Sequence, residues 1–141
     1  MKRIVYIALL LPLGLLAQNW QTDFAAATSK ANSEQKNILL VFSGSDWCAP
    51  CIKLDKKIWS TPIFKKAAAK NWVLYRADFP KKKKNKLKAE VLNQNKTLAE
   101  KYNSKGYFPL VVVLRPNGTV VGTTGFNDMD VESYIEHLKS L

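Results

Sequence analysis

The chain has 141 residues, of which 47% are apolar and 23% charged, and its formal net charge is +11. That length and balance fit one globular domain and exclude a mini-protein that needs disulfide staples to hold its core. The excess of 22 basic over 11 acidic residues favours encounters with acidic surfaces without naming one.

Lys2 and Arg3 form a short basic start, and Ile4 to Leu16 is an almost unbroken apolar run that ends at Ala17. Residues 1–17 read as a secretory signal peptide with cleavage expected after Ala17. The run is shorter than the about 20 residues a membrane span needs, and Pro12 and Gly14 interrupt it. An uncleaved N-terminal anchor is the competing reading. No cysteine follows the run, so a lipid-modified cysteine at the new N-terminus is excluded. Loss of Lys2 and Arg3 lowers the charge from +11 to about +9.

Residues 18–37 form an N-terminal helical extension, with an amphipathic helix from about Thr22 to Glu34 and Trp20 and Phe24 docked on the body. Asn37 to Ser43, NILLVFS, is continuous, apolar and short, as expected of a strand buried on both faces. Gly44 to Trp47 makes a loop. From Cys48 a helical pattern carries Ile52, Leu54 and Ile58 on its apolar side, with Pro50 in the first turn, where its missing N–H costs nothing. Thr61 and Pro62 supply an N-cap and a first helical residue for a helix to about Ala69. Trp72 to Asp78, WVLYRAD, is the second strand.

Pro80 and the lysine-rich run Lys81 to Lys88 lead into a polar helix ending near Tyr102, with a kink or break expected near Asn93 to Asn95. Leu110 to Leu114 is the third strand. Pro116-Asn117-Gly118 signals a hairpin, with Thr119 to Thr123 as the returning strand. Asp130 caps a final helix. The order helix, strand, helix, strand, helix, strand, strand, helix describes an α/β fold with a mixed sheet of four to five strands covered on both faces.

The chemistry concentrates in SGSDWCAPCIKLDKK, residues 43–57, which holds the only two cysteines. Three roles are open to such a pair: redox catalyst, half of a metal site, or staple. A loop this short removes little entropy from the unfolded chain, which disfavours the staple. A structural zinc wants four ligands, and the single histidine, His137, lies far along the chain, where it reads as a surface helix residue. A cysteine just after a buried strand and at the first turn of a helix instead meets free backbone N–H groups and the positive helix end, which favour thiolate. Cys48 then attacks a disulfide and Cys51, one turn further in, resolves the mixed disulfide.

Trp47-Cys48-Ala49-Pro50-Cys51 after an apolar strand, together with Gly106-Tyr107-Phe108-Pro109 before Leu110 and the later Pro-Asn-Gly hairpin, resembles the thioredoxin superfamily. The resemblance covers residues 38–141. It implies a thioredoxin fold, a cis-proline at Pro109, substrate contacts from Trp47, Pro50, Phe108 and Pro109, and no bound cofactor or metal. Two departures bear on chemistry. Where many relatives carry a buried aspartate behind the cysteines, this chain has Leu40-Val41-Phe42, which leaves Asp46 in the loop as the nearest acidic group. The residue before the proline is the bulky Phe108, which reshapes the groove for a substrate peptide.

The expected function is that of an exported thiol–disulfide oxidoreductase, periplasmic or secreted and monomeric, that reduces disulfides of exported cysteine-containing proteins and is recharged by a membrane or soluble thiol donor. Oxidase or isomerase action is the alternative direction. The rival of another class is a binding module that uses Lys81 to Lys88 against an acidic surface. Nucleic acid is not the expected partner, because the expected compartment is the wrong one and no aromatic residues interleave with the lysines to stack bases.

Overall fold

The computed structural model describes residues 20–141, so the expected signal peptide lies outside the described residues. Five strands form one sheet in the order β1-β3-β2-β4-β5. They are β1 (Trp20–Gln21), β2 (Asn37–Ser43), β3 (Trp72–Asp78), β4 (Leu110–Leu114) and β5 (Val120–Thr124). β1 and β2 run parallel to β3, whereas β4 pairs antiparallel with both β2 and β5. The helices are α1 (Phe24–Glu34), α2 (Ala49–Leu54), α3 (Pro62–Asn71), α4 (Ala89–Tyr102) and α5 (Val131–Ser140).

The apolar run of β2 follows from its central place, because both of its faces are buried. Ile38, Leu40 and Phe42 join Val73, Tyr75 and Ala77 in a core under α1 and α4. Leu39 and Val41 join Leu74, Val111 and Val113 in a second core under α2, α3 and α5. That alternation is the two-residue period of a strand. Trp59 fills the middle of the second core at 2% exposure, edge-on to Phe64, Tyr134 and Trp20. Trp72 is also buried there.

Several sequence expectations change in the structure. Trp20 does pack on the body as expected, but within the helical extension it forms a two-residue edge strand, and the Arg76 guanidinium lies 4.4 Å from its ring centroid. The helix that starts at the cysteines does not continue regularly to Ile58: a π-helical turn, Asp55–Trp59, follows α2, and Asp55 pairs with Arg76 of β3 at 2.9 Å. α4 runs unbroken through residues 93–95, against the expected kink. The apparent gap in its apolar pattern is Asn95, a polar residue in a core position at 0% exposure. It accepts from the Tyr75 hydroxyl at 2.6 Å and donates to the Asp78 carbonyl at 3.1 Å. β5 sits one residue later than the sequence pattern indicates. Gly118 makes the hairpin turn with φ of 87°, a conformation that favours glycine. Tyr102 also reaches that turn, its hydroxyl donating to the Gly118 carbonyl at 3.0 Å.

Candidate active site

β2 carries the chain through the core and releases it at Ser43, so the loop Gly44 to Trp47 emerges at one end of the sheet. Three of its residues hold that loop through hydrogen bonds to distant parts of the chain. Ser45 donates from its N–H and its hydroxyl to the two carboxylate oxygens of Asp78, at 2.9 and 2.5 Å. Asp46 accepts from the Lys81 and Lys82 N–H groups and from the Asn85 side chain, each at 2.9 Å. The Trp47 indole N–H donates to the Phe79 carbonyl at 2.7 Å.

These bonds hold the carboxyl of Asp46 down to about 2, with the Lys81 N–H contributing most. Asp46 is therefore the fastener of the loop and not the proton acceptor that its position in the sequence suggests. A carboxylate already engaged by three donors is a poor base.

Cys48 is the N-cap of α2, in extended conformation, and the Cys51 N–H donates to its sulfur at 3.3 Å. Pro50 lies exposed in the first turn. The two cysteines form a disulfide with their Cα atoms 5.2 Å apart. Both are buried, Cys48 at 5% exposure and Cys51 at 3%.

The second wall of the site comes from the loop before β4. Phe42 pairs with Leu110 in the antiparallel ladder, which brings Pro109 to the same end of the sheet as Ser43 and the cysteine loop. The Phe108–Pro109 peptide bond is cis, as the resemblance implies. Asn103, buried at 6% exposure, clasps this loop: its amide donates to the Tyr107 carbonyl at 2.8 Å and its oxygen accepts from the Tyr107 N–H at 2.9 Å. The Phe108 ring lies edge-on to Trp47 at 5.5 Å and to Phe79 at 5.7 Å.

Trp47, Phe79 and Phe108 thus form one aromatic floor between the cysteine loop and the cis-proline loop. Trp47 itself is 39% exposed, which assigns it to the rim and not to the core.

Of the residues singled out from the sequence, Cys48, Cys51, Trp47, Phe108 and Pro109 converge here. Phe79 and Asn103 were not foreseen, because their contacts to the site cross long stretches of chain or depend on a loop conformation. His137 does not join them. It bonds to Thr124 of β5 at 2.8 Å and ties α5 to the sheet edge. Among the described residues no three His, Cys, Asp or Glu side chains are grouped to hold a metal ion.

A thioredoxin-like family profile matches residues 19–116. The chain belongs to the thioredoxin-like family. It is 30% identical over 129 residues to the disulfide bond reductase DsbH of Chlamydia pneumoniae, which covers 92% of this chain and 75% of that protein. A solved structure of a DsbH oxidoreductase superposes with a TM-score of 0.82 at 28% identity, covering 98% of this chain and 93% of its own. The oxidised C-terminal domain of Neisseria meningitidis DsbD shares the thioredoxin-like fold at a TM-score of 0.61 and 20% identity, over 88% of this chain and 98% of that domain. This thioredoxin-like chain is a thiol–disulfide oxidoreductase with a Cys-x-x-Cys pair.

Proposed function

We propose that the protein is exported and reduces disulfides in other exported proteins, with Cys48 as the attacking thiol and Cys51 as the resolving thiol. The observation that carries this reading is the placement of Cys48 as the N-cap of α2, its sulfur accepting the Cys51 N–H at 3.3 Å. A negative sulfur there gains a charge-assisted hydrogen bond and the favourable end of the helix dipole, both of which lower a thiol pKa.

In the reduced protein the Cys48 thiolate attacks one sulfur of the substrate disulfide. A Cys48–substrate disulfide forms and the other substrate sulfur leaves as thiolate. That thiolate takes the proton of Cys51, whose sulfur then attacks Cys48. The Cys48–Cys51 disulfide forms, and the second substrate sulfur leaves and is protonated from water. Two electrons pass from the protein dithiol to the substrate. No aspartate or glutamate is buried among the described residues, which favours the substrate thiolate as proton acceptor.

Trp47, Phe79 and Phe108 offer an apolar floor for the residues beside the substrate cysteine, and Pro109 offers its backbone beside them. Pro50 shapes the outer lip. The dithiol is regenerated by a thiol donor, and no bound cofactor enters the cycle. The apolar start of the chain, as a signal peptide over residues 1–17, supports export, and the naming of its relative as a reductase supports the direction.

The test is the reduction potential of the cysteine pair against glutathione, paired with reduction of insulin disulfides. A reductase has a potential below about −230 mV and reduces insulin through Cys48, with Cys48→Ser inactive. A potential near about −120 mV assigns an oxidase and overturns the proposed direction.

A further inference from the structure

Resting on the reductase reading, we propose that the lysine segment after β3 is part of the active-site rim and selects protein substrates whose disulfide is flanked by acidic residues. The segment is fastened to the cysteine loop and does not swing free. Asp46, two residues before Cys48, holds the N–H groups of Lys81 and Lys82 and the side chain of Asn85. The Lys81 ammonium stands 4.1 Å from the centroid of the Trp47 ring, so one cation of the run sits on the aromatic floor itself. A pocket of about 140 Å³ opens beside it, lined by Pro80 and Leu87 together with Lys81, Lys82, Lys83 and Lys86.

These charges are offset only in part within the fold, by the ionised Asp46, which attracts the Lys82 charge. Elsewhere lysines find carboxylates: Lys53 and Lys57 share Asp128, Lys36 meets Glu34, and Lys139 meets Glu136. Among the described residues none of the ion pairs involves a lysine between positions 81 and 88. Asp78 binds Ser45 of the cysteine loop, and Asp46 binds the backbone of the lysine segment, one carboxylate against six lysines.

The result is a patch of net positive charge joined through Lys81 and Trp47 to the loop that carries the cysteines. Charge of one sign at the rim of a cleft raises encounter rates with opposite charge and repels like charge. A substrate segment that pairs acidic side chains with an apolar residue near its cysteine satisfies both the lysines and the Pro80 and Leu87 wall.

The experiment mixes the pre-reduced protein with peptides that carry one disulfide flanked by Glu and Asp, by Gln and Asn, or by Lys. Second-order rate constants for protein oxidation are measured at low and high salt, with bis(2-hydroxyethyl) disulfide as an uncharged probe of the cysteine chemistry alone. The expected result is a rate about tenfold higher for the acidic than for the amide peptide at low salt, shrinking as salt rises. In the Lys81→Gln, Lys82→Gln, Lys83→Gln variant the preference should fall to near one.

Equal rates for the three peptides, with the uncharged probe still turned over, overturn the charge selection and leave the reductase reading standing. No turnover of any disulfide overturns both. Lysine-dependent binding to phosphatidylglycerol vesicles, in a protein without peptide preference, reassigns the segment to a membrane surface and also overturns the proposal.

Discussion

Replacement of Asn95 by alanine tests how the core is coupled to the loop that carries the cysteines. The side chain is fully buried and joins two groups that have no other role for it to cover: the Tyr75 hydroxyl at 2.6 Å and the Asp78 carbonyl at 3.1 Å. Alanine leaves both without a partner, and each buried orphan costs about 1–3 kcal/mol. The hydroxyl is deep in the core, whereas the carbonyl belongs to a half-buried residue and regains some solvent. The sum is about 3 kcal/mol, which for a domain of this size lowers Tm by about 10 °C.

Denaturant unfolding of wild type, Asn95→Ala, Tyr75→Phe and the double variant closes a cycle. The coupling between the two side chains should be about 1 kcal/mol, with the double variant less damaged than the single losses predict together. Because Asp78 also receives Ser45 through its carboxylate, amide exchange in residues 44–47 should rise in Asn95→Ala as well. An Asn95→Ala protein within about 0.5 kcal/mol of wild type would refute the view that this bridge holds the site to the core.

Two further outcomes follow from the loop geometry. A Cβ at Gly44 collides with the Trp47 indole, so Gly44→Ala should expel that ring from Phe108 and Lys81, slow the reduction of protein disulfides severalfold, and leave the rate with bis(2-hydroxyethyl) disulfide within about twofold. Unchanged insulin reduction would show that the indole does not shape the substrate surface. The Asp46 carboxyl, lowered to about 2, contributes stability that is present above the unfolded carboxylate value and lost as pH falls through about 2. The Lys81 and Lys82 amide resonances should therefore titrate with a midpoint near about 2, and a midpoint near the ordinary carboxylate value of 3.8 would mean the clamp is absent in solution.

The sequence pattern made the core strands and both redox cysteines readable, because burial on two faces leaves an unbroken apolar run and a helix start leaves a proline and a cap. NILLVFS and WVLYRAD match β2 and β3 from end to end. Less legible were the features that depend on a partner distant in the chain. Trp20–Gln21 is too short for any periodic signal and becomes a strand only because β3 has a free edge. Asn95 looks like a break in an amphipathic helix until Tyr75 is seen opposite it. Asp46 offers itself as a base in the sequence, but a carboxylate next to Ser and Trp says nothing of the two amides that reach it from residues 81 and 82. The lysine run likewise reads only as the lead into a polar helix, and nothing in it shows the clamp that ties Lys81 and Lys82 to the cysteine loop.

The most direct test of the mechanism is to find which sulfur carries the substrate when resolution is blocked. Reduced Cys51→Ser protein is mixed with an excess of a disulfide substrate, quenched with acid, and digested for mass spectrometric mapping. The expected product is a mixed disulfide at Cys48 that persists for lack of a resolving thiol, while reduced Cys48→Ser protein accumulates little adduct over the same time. Rapid adduct formation at Cys51 in the Cys48→Ser protein, with none at Cys48 in the partner variant, would contradict the assignment of Cys48 as the attacking thiol.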